Sequence, residues 1–324
     1  MPPSSADFSH SFPSTELRLR RTFLKPRRIT ISPIFRRMSY LLAAILVIAP
    51  NSVSAAPRPQ SSPGTFLDVD GSRIYYQDCG TGPEAVLLIH DGIVHSEVWD
   101  DVWGAFCKEF HTIRYDRRGY GRSAPTTKWY TETDDIFALL RHLKIKRTFL
   151  VGSSHGGALA IDFTLEHPGL VEELVLVGAV VDGYGYSDHF LDRVIHNAKP
   201  MEKNDVAGLV ANWANDKYVL AANHEAARKK LHDLLAANPQ NLTHDDLARH
   251  PPSALPRLHE IHVPTLILVG DADIPDVHSH AGVIETGIPN SRRIVISDAG
   301  HLMYLEKPEE FSRVVIGFLQ QNRE

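Results

Sequence analysis

The sequence predicts an α/β protein in which a mostly parallel central sheet is covered by helices on both faces. Short apolar runs alternate with amphipathic segments from about residue 85 to residue 320. Residues 85–90 form a continuous apolar run that ends at His90, which is typical of a strand covered on both faces, and residues 265–270 form another strand-like run. Between about residues 181 and 258 this alternation stops, and a polar, helical stretch without a strand-like run replaces it. We call this insert the cap.

Predicted strands and helices follow one another along the chain from residue 66 onward. Residues 66–77 alternate around Asp70 and Gly71, which predicts a β-hairpin. Apolar residues at helical spacing predict helices at residues 97–110, 133–143, 156–166 and 309–320, and one more between residues 270 and 293. Further apolar runs predict strands at residues 112–116, 147–152, 173–178 and 293–296. The cap is expected above the carboxyl ends of these strands.

Composition narrows the class of protein. The chain has 324 residues, of which 43% are hydrophobic and 23% are charged, so it is neither disordered nor collagen-like nor a coiled coil. Residues 1–55 carry eight Lys or Arg and two acids, a net charge of +6, while the remainder carries −11. An acidic body argues against nucleic acid as a partner, and the basic head suggests a targeting segment.

The first 55 residues have the order of a secretory signal. Arg36 and Arg37 precede a nine-residue apolar run at residues 41–49, and small residues follow at 53–56. Nine residues are about half of what a spanning helix needs, so no stable membrane span is expected after cleavage behind Ala55 or Ala56. We therefore expect an exported protein, periplasmic or secreted, with a signal at 1–55, a flexible linker at 56–64 and one domain at 65–324.

Alternatives to this N-terminal assignment remain open. Met38 could be the true start, residues 20–25 resemble a twin-arginine export motif, and the apolar run could be an uncleaved anchor.

The two cysteines exclude a disulfide-dense scaffold and a cysteine-based zinc site. Export permits a disulfide between Cys79 and Cys107, but Cys107 lies on a predicted helix, where a small buried thiol is expected instead.

One short motif predicts the chemistry. Gly152-Ser-Ser-His-Gly156 fits G-x-S-x-G with Ser154 at its centre, after a predicted strand and before a predicted helix. A nucleophile on so sharp a turn leaves no room for Cβ atoms two residues before and after it, which explains the glycines. The helix N-terminus behind Ser154 favours developing negative charge. The alternative is an ordinary Gly/Ser turn.

With this motif and four more matches, the chain resembles the α/β-hydrolase superfamily. The matches are His90-Asp-Gly92 after the third strand, the D-x-R-G-x-G-x-S loop at 116–123, Gly270-Asp-Ala-Asp273, and Ala299-Gly-His301. The resemblance extends over about residues 65–320. It implies an α/β-hydrolase fold with a helical cap and a triad in the order Ser154, Asp273, His301. The serine nucleophile and the segments at 90–99 and 271–276 look most like carboxylesterases and enol-lactonases.

The roles of the triad follow from this resemblance. Ser154 is the expected nucleophile and needs a base, because a serine hydroxyl is weakly nucleophilic at its own pKa. His301 is expected to act as that base and then as the acid for the leaving group. Asp273 is expected to accept a hydrogen bond from the imidazole and stabilise its charged form. Asp271 is the competing carboxylate, and a loop-capping role is the alternative reading of it.

The oxyanion hole is expected to use the backbone N–H groups of His155 and Gly92. The sequence departs from the family pattern at Asp91, where glycine is usual. A carboxylate beside an anion-stabilising loop is unfavourable unless it points away from the anion. The His155 side chain is expected to be a partly exposed group at a helix N-terminus, with contact to substrate as the alternative.

The sequence predicts no metal and no cofactor. The pairs His278/His280 and His259/His262 do not have the spacing of H-E-x-x-H or a comparable ligand set. Arg117 and its neighbour Arg118 are expected to brace their loop. The expected partner is a small ester or lactone substrate, and the oligomeric state is open. The alternatives are other chemistry of the same triad (C–C hydrolase, prolyl aminopeptidase, perhydrolase, acyltransferase) and a non-catalytic ligand-binding protein of the same fold.

Overall fold

The computed structural model describes residues 63–249 and 251–321, and the predicted signal segment lies outside these ranges. Eight strands form one sheet in the order β1-β2-β4-β3-β5-β6-β7-β8. They are β1 Thr65–Val69, β2 Ser72–Cys79, β3 Ala85–Ile89, β4 His111–Tyr115, β5 Thr148–Ser153, β6 Val171–Val177, β7 Thr265–Gly270 and β8 Ser291–Ile296. The pairs β1·β2 and β2·β4 are antiparallel and all others are parallel, so the predicted mostly parallel sheet is confirmed.

Helices cover both faces of this sheet. They are α1 Asp100–Glu109, α2 Glu132–His142, α3 His155–Glu166, α4 Asp188–Ala198, α5 Val206–Ala214, α6 Glu225–Ala237, α7 Pro275–Gly287, α8 Met303–Glu306 and α9 Pro308–Gln321. Alternate residues of β3 point to opposite faces: Val86 and Leu88 join the core under α1 and α9, whereas Leu87 and Ile89 join the core under α2, α3 and α7. All five residues of β3 are buried, which explains its continuous apolar run.

The segment between β6 and β7 is helical. It contains α4, α5 and α6 together with short 3₁₀ helices at Lys199–Lys203, Pro239–Leu242 and Leu255–Glu260. Ser187 caps α4 by accepting a hydrogen bond from the Phe190 N–H, and Asp205 caps α5 in the same way from Gly208. These caps explain why helices begin in a stretch whose composition is polar.

The structure corrects one sequence-based expectation. Cys107 is not a buried thiol: it forms a disulfide with Cys79, and the two Cα atoms are 5.4 Å apart. The bond ties the end of β2 to α1. Sequence pattern could not predict this disulfide, because the pairing of α1 against the antiparallel edge of the sheet is a long-range contact.

No helix among residues 63–249 and 251–321 is long and apolar enough to cross a membrane.

Candidate active site

Ser154 lies on the sharp turn between β5 and α3. Its backbone has φ 52° and ψ −115°, a left-handed conformation that a non-glycine residue rarely adopts. The turn is fixed by hydrogen bonds from the Ser154 N–H to the Val177 carbonyl (2.8 Å) and from the Gly157 N–H to the Ser154 carbonyl (2.9 Å). Strain held in this way at a turn is typical of functional sites.

The two glycines of the motif are required by close backbone approach. A Cβ atom on Gly152 would collide with the carbonyl oxygen of Gly156, and one on Gly156 would collide with the carbonyl oxygen of His90. The first turn of α3 therefore packs directly against the ends of β3 and β5. This packing is the steric reason for the G-x-S-x-G pattern.

His301 and Asp273 form a hydrogen-bonded pair beside this turn. The distance between His301 Nδ1 and Asp273 Oδ2 is 2.8 Å, and the Asp273 side chain is only 1% exposed. Asp273 follows β7 and is oriented by a second bond, because its Oδ1 accepts from the Ile274 N–H at 2.7 Å. Asp271 takes the capping role instead: its Oδ1 accepts from the Ala299 N–H at 3.3 Å.

The end of β6 links the pair to the nucleophile turn. Val177 accepts the hydrogen bond from the Ser154 N–H, and the next residue, Gly178, packs against the pair. A Cβ atom on Gly178 would lie 3.0 Å from His301 Nδ1 and 3.4 Å from Asp273 Oδ2. The structure thus brings the three sequence-predicted triad residues to neighbouring carboxyl ends of β5, β7 and β8, with the end of β6 between them.

The electrostatic environment favours a protonated imidazole at His301. Burial by itself would lower the pKa of His301, but the negative charge and hydrogen bond of Asp273, together with the charge of Asp91, outweigh burial and the opposing charge of Arg193. The resulting pKa lies above the usual histidine value. A raised pKa means that the neutral imidazole accepts a proton readily, as a general base must.

The cap holds the loop that carries His301. The His301 N–H donates to the Tyr218 carbonyl at 2.9 Å. The buried Glu306 carboxylate accepts one hydrogen bond from the Ala221 N–H and another from the Gly300 N–H, each at 2.6 Å. One carboxylate therefore joins the segment after α5 to the histidine loop.

The two predicted oxyanion residues lie next to each other. His155 is the first residue of α3, where a backbone N–H has no acceptor within the helix. A Cβ atom on Gly92 would lie 3.8 Å from the Cβ of His155. The loop after β3 and the start of α3 therefore face each other at the strand end, where the resemblance places an oxyanion hole.

Asp91 is built into the oxyanion loop. Its carboxylate is buried, and Oδ1 accepts from the N–H groups of Ile93 (2.6 Å) and Val94 (3.0 Å). Oδ2 accepts from the Tyr304 hydroxyl at 3.2 Å, and that hydroxyl also lies 3.1 Å from Ser153 Oγ. The loop amides thus hold the charge in place, and it still contributes to the raised pKa of His301.

Arg117 and Glu132 support the same loop, and the sequence did not indicate Glu132. Arg117 donates to the Asp91 carbonyl at 3.1 Å and to Glu132 Oε1 at 2.7 Å, and Glu132 Oε2 lies 2.9 Å from His155 Nε2. Burial tends to raise the pKa of Glu132, but Arg117 and His155 hold it well below its usual range. The predicted bracing role of Arg117 is thus visible, whereas Glu132 carries no local motif that would reveal it.

The pairs His278/His280 and His259/His262 belong to no ligand cluster in the described part of the chain. Among the described ranges, no group of three or more His, Cys, Asp or Glu side chains is arranged to hold a metal ion. His280 is fully buried, and its Nδ1 accepts from the Val181 N–H at 3.1 Å.

Comparison with known proteins points to one family. A family model described as "Alpha/beta hydrolase family" matches residues 86–314. The human "Serine hydrolase BPHL" is 25% identical over 299 residues, which cover 88% of this chain and 96% of that protein. The "2-hydroxy-6-oxo-6-phenylhexa-2,4-dienoate hydrolase" of Comamonas testosteroni is 28% identical over 279 residues, covering 78% of this chain and 93% of that protein.

A solved structure agrees with these sequence matches. A thermophilic esterase from Thermogutta terrifontis superposes with a TM-score of 0.66 at 25% identity, covering 81% of this chain and 98% of the esterase. Both sequence relatives and the esterase carry hydrolase names.

Proposed function

The chain belongs to the alpha/beta hydrolase family, and on that premise we propose that this hydrolase is an exported serine enzyme that cleaves small esters or lactones. The observation that carries the proposal is that the end of β6 contacts both the strained Ser154 turn and the hydrogen-bonded pair of His301 and Asp273. The names of the relatives, a serine hydrolase and an esterase among them, support the same class of reaction.

The reaction follows from the roles of these groups. Ser154 Oγ attacks the substrate carbonyl carbon while its proton passes to His301 Nε2, and Asp273 stabilises the imidazolium through Nδ1–H. The backbone N–H groups of Gly92 and His155 stabilise the tetrahedral oxyanion. Collapse breaks the bond to the alkoxy oxygen, which takes the proton from His301 and leaves as the alcohol. Water activated by His301 then hydrolyses the acyl-enzyme, which releases the acid and restores Ser154.

A fluorophosphonate probe tests the nucleophile. We expect the folded protein to be labelled and Ser154→Ala to abolish the labelling, because the probe forms a covalent bond with an activated serine hydroxyl. Ser279→Ala, at an exposed position on α7, is the matched control and should be labelled as the unaltered protein is. Labelling that persists in Ser154→Ala would reassign the nucleophile, and a folded protein without labelling would favour a ligand-binding protein.

A second reaction class is favoured by one relative. The Comamonas protein is named as a dienoate hydrolase, so cleavage of a carbon–carbon bond in a 2-hydroxy-6-oxo-dienoate is the alternative to ester hydrolysis. A panel of p-nitrophenyl esters of varied chain length, lactones and such a dienoate separates the two. A kcat/KM for the dienoate above that for every ester and lactone would replace the ester proposal.

The proposal of export rests on the N-terminal sequence and is supported by the disulfide. The order of basic residues, short apolar run and small residues is that of a secretory signal. The Cys79–Cys107 disulfide suits an oxidising compartment such as the periplasm or the extracellular space.

A further inference from the structure

A cavity of about 250 Å³ lies along one face of α3. Four residues of that helix, at spacings of three and four, line it: His155, Ala158, Leu159 and Asp162. The start of α2 and the segment after β6 form the other walls. We call this space the α3 cavity. It begins at the proposed oxyanion residue His155 and ends at Asp162.

The carboxyl group of Asp162 lies in the wall of the α3 cavity without a partner. Asp162 is 9% exposed, and no hydrogen bond or ion pair joins its carboxyl group to any residue in the described part of the chain. Buried polar groups are normally bonded, because leaving one unpaired costs about 1–3 kcal/mol. A ligand group that supplies donors would remove this cost.

The negative charges around Asp162 favour a ligand group with a positive charge. Burial, together with the negative charges of Asp182, Glu166 and Glu132, raises the pKa of Asp162 to about 7, while the charge of Arg257 opposes this rise. Arg257 is itself paired with the carboxylate of Glu260. The negative field is therefore not neutralised at Asp162.

The other charged groups that line the α3 cavity do not change this conclusion. Glu132 is already bonded to Arg117 and to His155. Arg249 is exposed, and Asp182 is half-buried on the opposite wall. Tyr184 and Tyr186 complete the wall with aromatic rings, which attract cations through their faces.

We propose that the α3 cavity is a binding subsite for a primary ammonium group, which donates hydrogen bonds to the Asp162 carboxylate. An ammonium group has three donors and no acceptor, so it suits a carboxylate that has no other partner. Because the cavity begins at His155, the ammonium belongs to the substrate that is hydrolysed, and this clause rests on the proposed function. Eight residues of helix between Ser154 and Asp162 rise about 12 Å, which sets the spacing between ester and ammonium.

Direct binding of two small probes tests the subsite. Binding of n-butylammonium and of its neutral isostere 1-butanol to the full chain can be measured by ligand-observed NMR. We expect the ammonium to bind at least about tenfold more tightly at pH 8, since the ionised carboxylate attracts a cation. Its affinity should fall by up to about tenfold at pH 6, because a carboxyl with a pKa near 7 is then mostly protonated. Equal binding of the two probes would overturn the proposal.

Variants identify the groups responsible. Asp162→Asn should abolish both the preference for the ammonium and its pH dependence, because the charge is removed at nearly constant shape. Asp134→Asn, at an exposed position on α2 that does not line the cavity, is the matched control and should retain both. If Asp162→Asn does not fold, Asp182→Asn takes its place and should weaken ammonium binding severalfold, because it removes a neighbouring negative charge. A preference that survives in every folded cavity variant would overturn the proposal.

A matched pair of esters tests the substrate clause separately. For aminooctyl acetate and nonyl acetate, we expect the ratio of kcat/KM values to favour the ammonium ester by about tenfold and to fall to about one in Asp162→Asn. Butylammonium should still bind to Ser154→Ala, so failure of the proposed serine chemistry leaves the subsite measurable. Binding without discrimination between the esters would overturn the assignment of the ammonium to the substrate.

Discussion

Two aspartates, two residues apart, have different partners. Asp273 bonds to His301, whereas Asp271 accepts a hydrogen bond from a loop amide. We expect Asp273→Asn to lower kcat by about three to four orders of magnitude, because an amide neither stabilises the imidazolium nor enforces the required tautomer. Asp271→Asn should lower kcat by less than about tenfold, since the amide oxygen can still accept from Ala299. Steady-state kinetics of the two variants checks this ranking, and the reverse ranking would contradict the assignment of the acid.

The pKa of His301 sets the acidic limb of activity. Catalysis needs the neutral imidazole, so kcat/KM should be lost as pH falls through the pKa of His301, which lies above the usual value of about 6.5. Asp91 contributes to that elevation. Asp91→Asn should therefore move the limb to lower pH, by about half a unit to one unit.

A pH profile of the Asp91→Asn variant separates this effect from a loss of loop structure. The asparagine Oδ1 can still accept from Ile93 and Val94, so the loop should keep its conformation. Asp134→Asn serves as the control, because it removes an equal charge at an exposed site on α2. A limb that stays at the pH of the unaltered protein would show that Asp91 acts on the loop alone.

At the scale of elements, the disulfide joins the end of β2 to α1 across a sequence separation of 28 residues. Restricting a loop of that length in the unfolded chain stabilises the fold by about 3–4 kcal/mol. We expect the Cys79→Ala/Cys107→Ala double variant to lose about that much free energy of unfolding in urea titration. Reduction with dithiothreitol should destabilise the unaltered protein similarly and leave the variant unchanged. A stability that reductant does not alter would contradict a structural role for the bond.

Hydrophobic periodicity predicted where most helices and strands lie along the chain. The predicted helix at residues 156–166 is α3 at His155–Glu166, and the predicted strand at 265–270 is β7 at Thr265–Gly270. These elements bury an apolar stripe or run against the sheet, so their periodicity is a local property of the sequence. The pairing of Cys79 with Cys107 was missed, because it depends on how α1 packs beside β2 rather than on any local pattern.

Export is expected to remove the N-terminal segment. The charge asymmetry between residues 1–55 and the rest indicates two parts with different roles. N-terminal sequencing of exported protein should find a new terminus behind Ala55 or Ala56. Membrane-bound protein that retains residue 1 would contradict cleavage and favour the anchor, and a terminus at Met38 would identify the alternative start.

Hydrophobic periodicity and short motifs are local signals, so they revealed the α/β class, the succession of strands and helices along the chain, and the residues proposed for the triad. The folded structure was needed to show which aspartate contacts His301, that a distant tyrosine hydroxyl donates to the Asp91 carboxylate, that Glu132 holds His155, and that Asp162 is buried without a partner. These facts depend on contacts between residues that are distant in the chain. A side chain's charge state and partners follow from what the fold packs against it, and composition, spacing and motif do not record that packing.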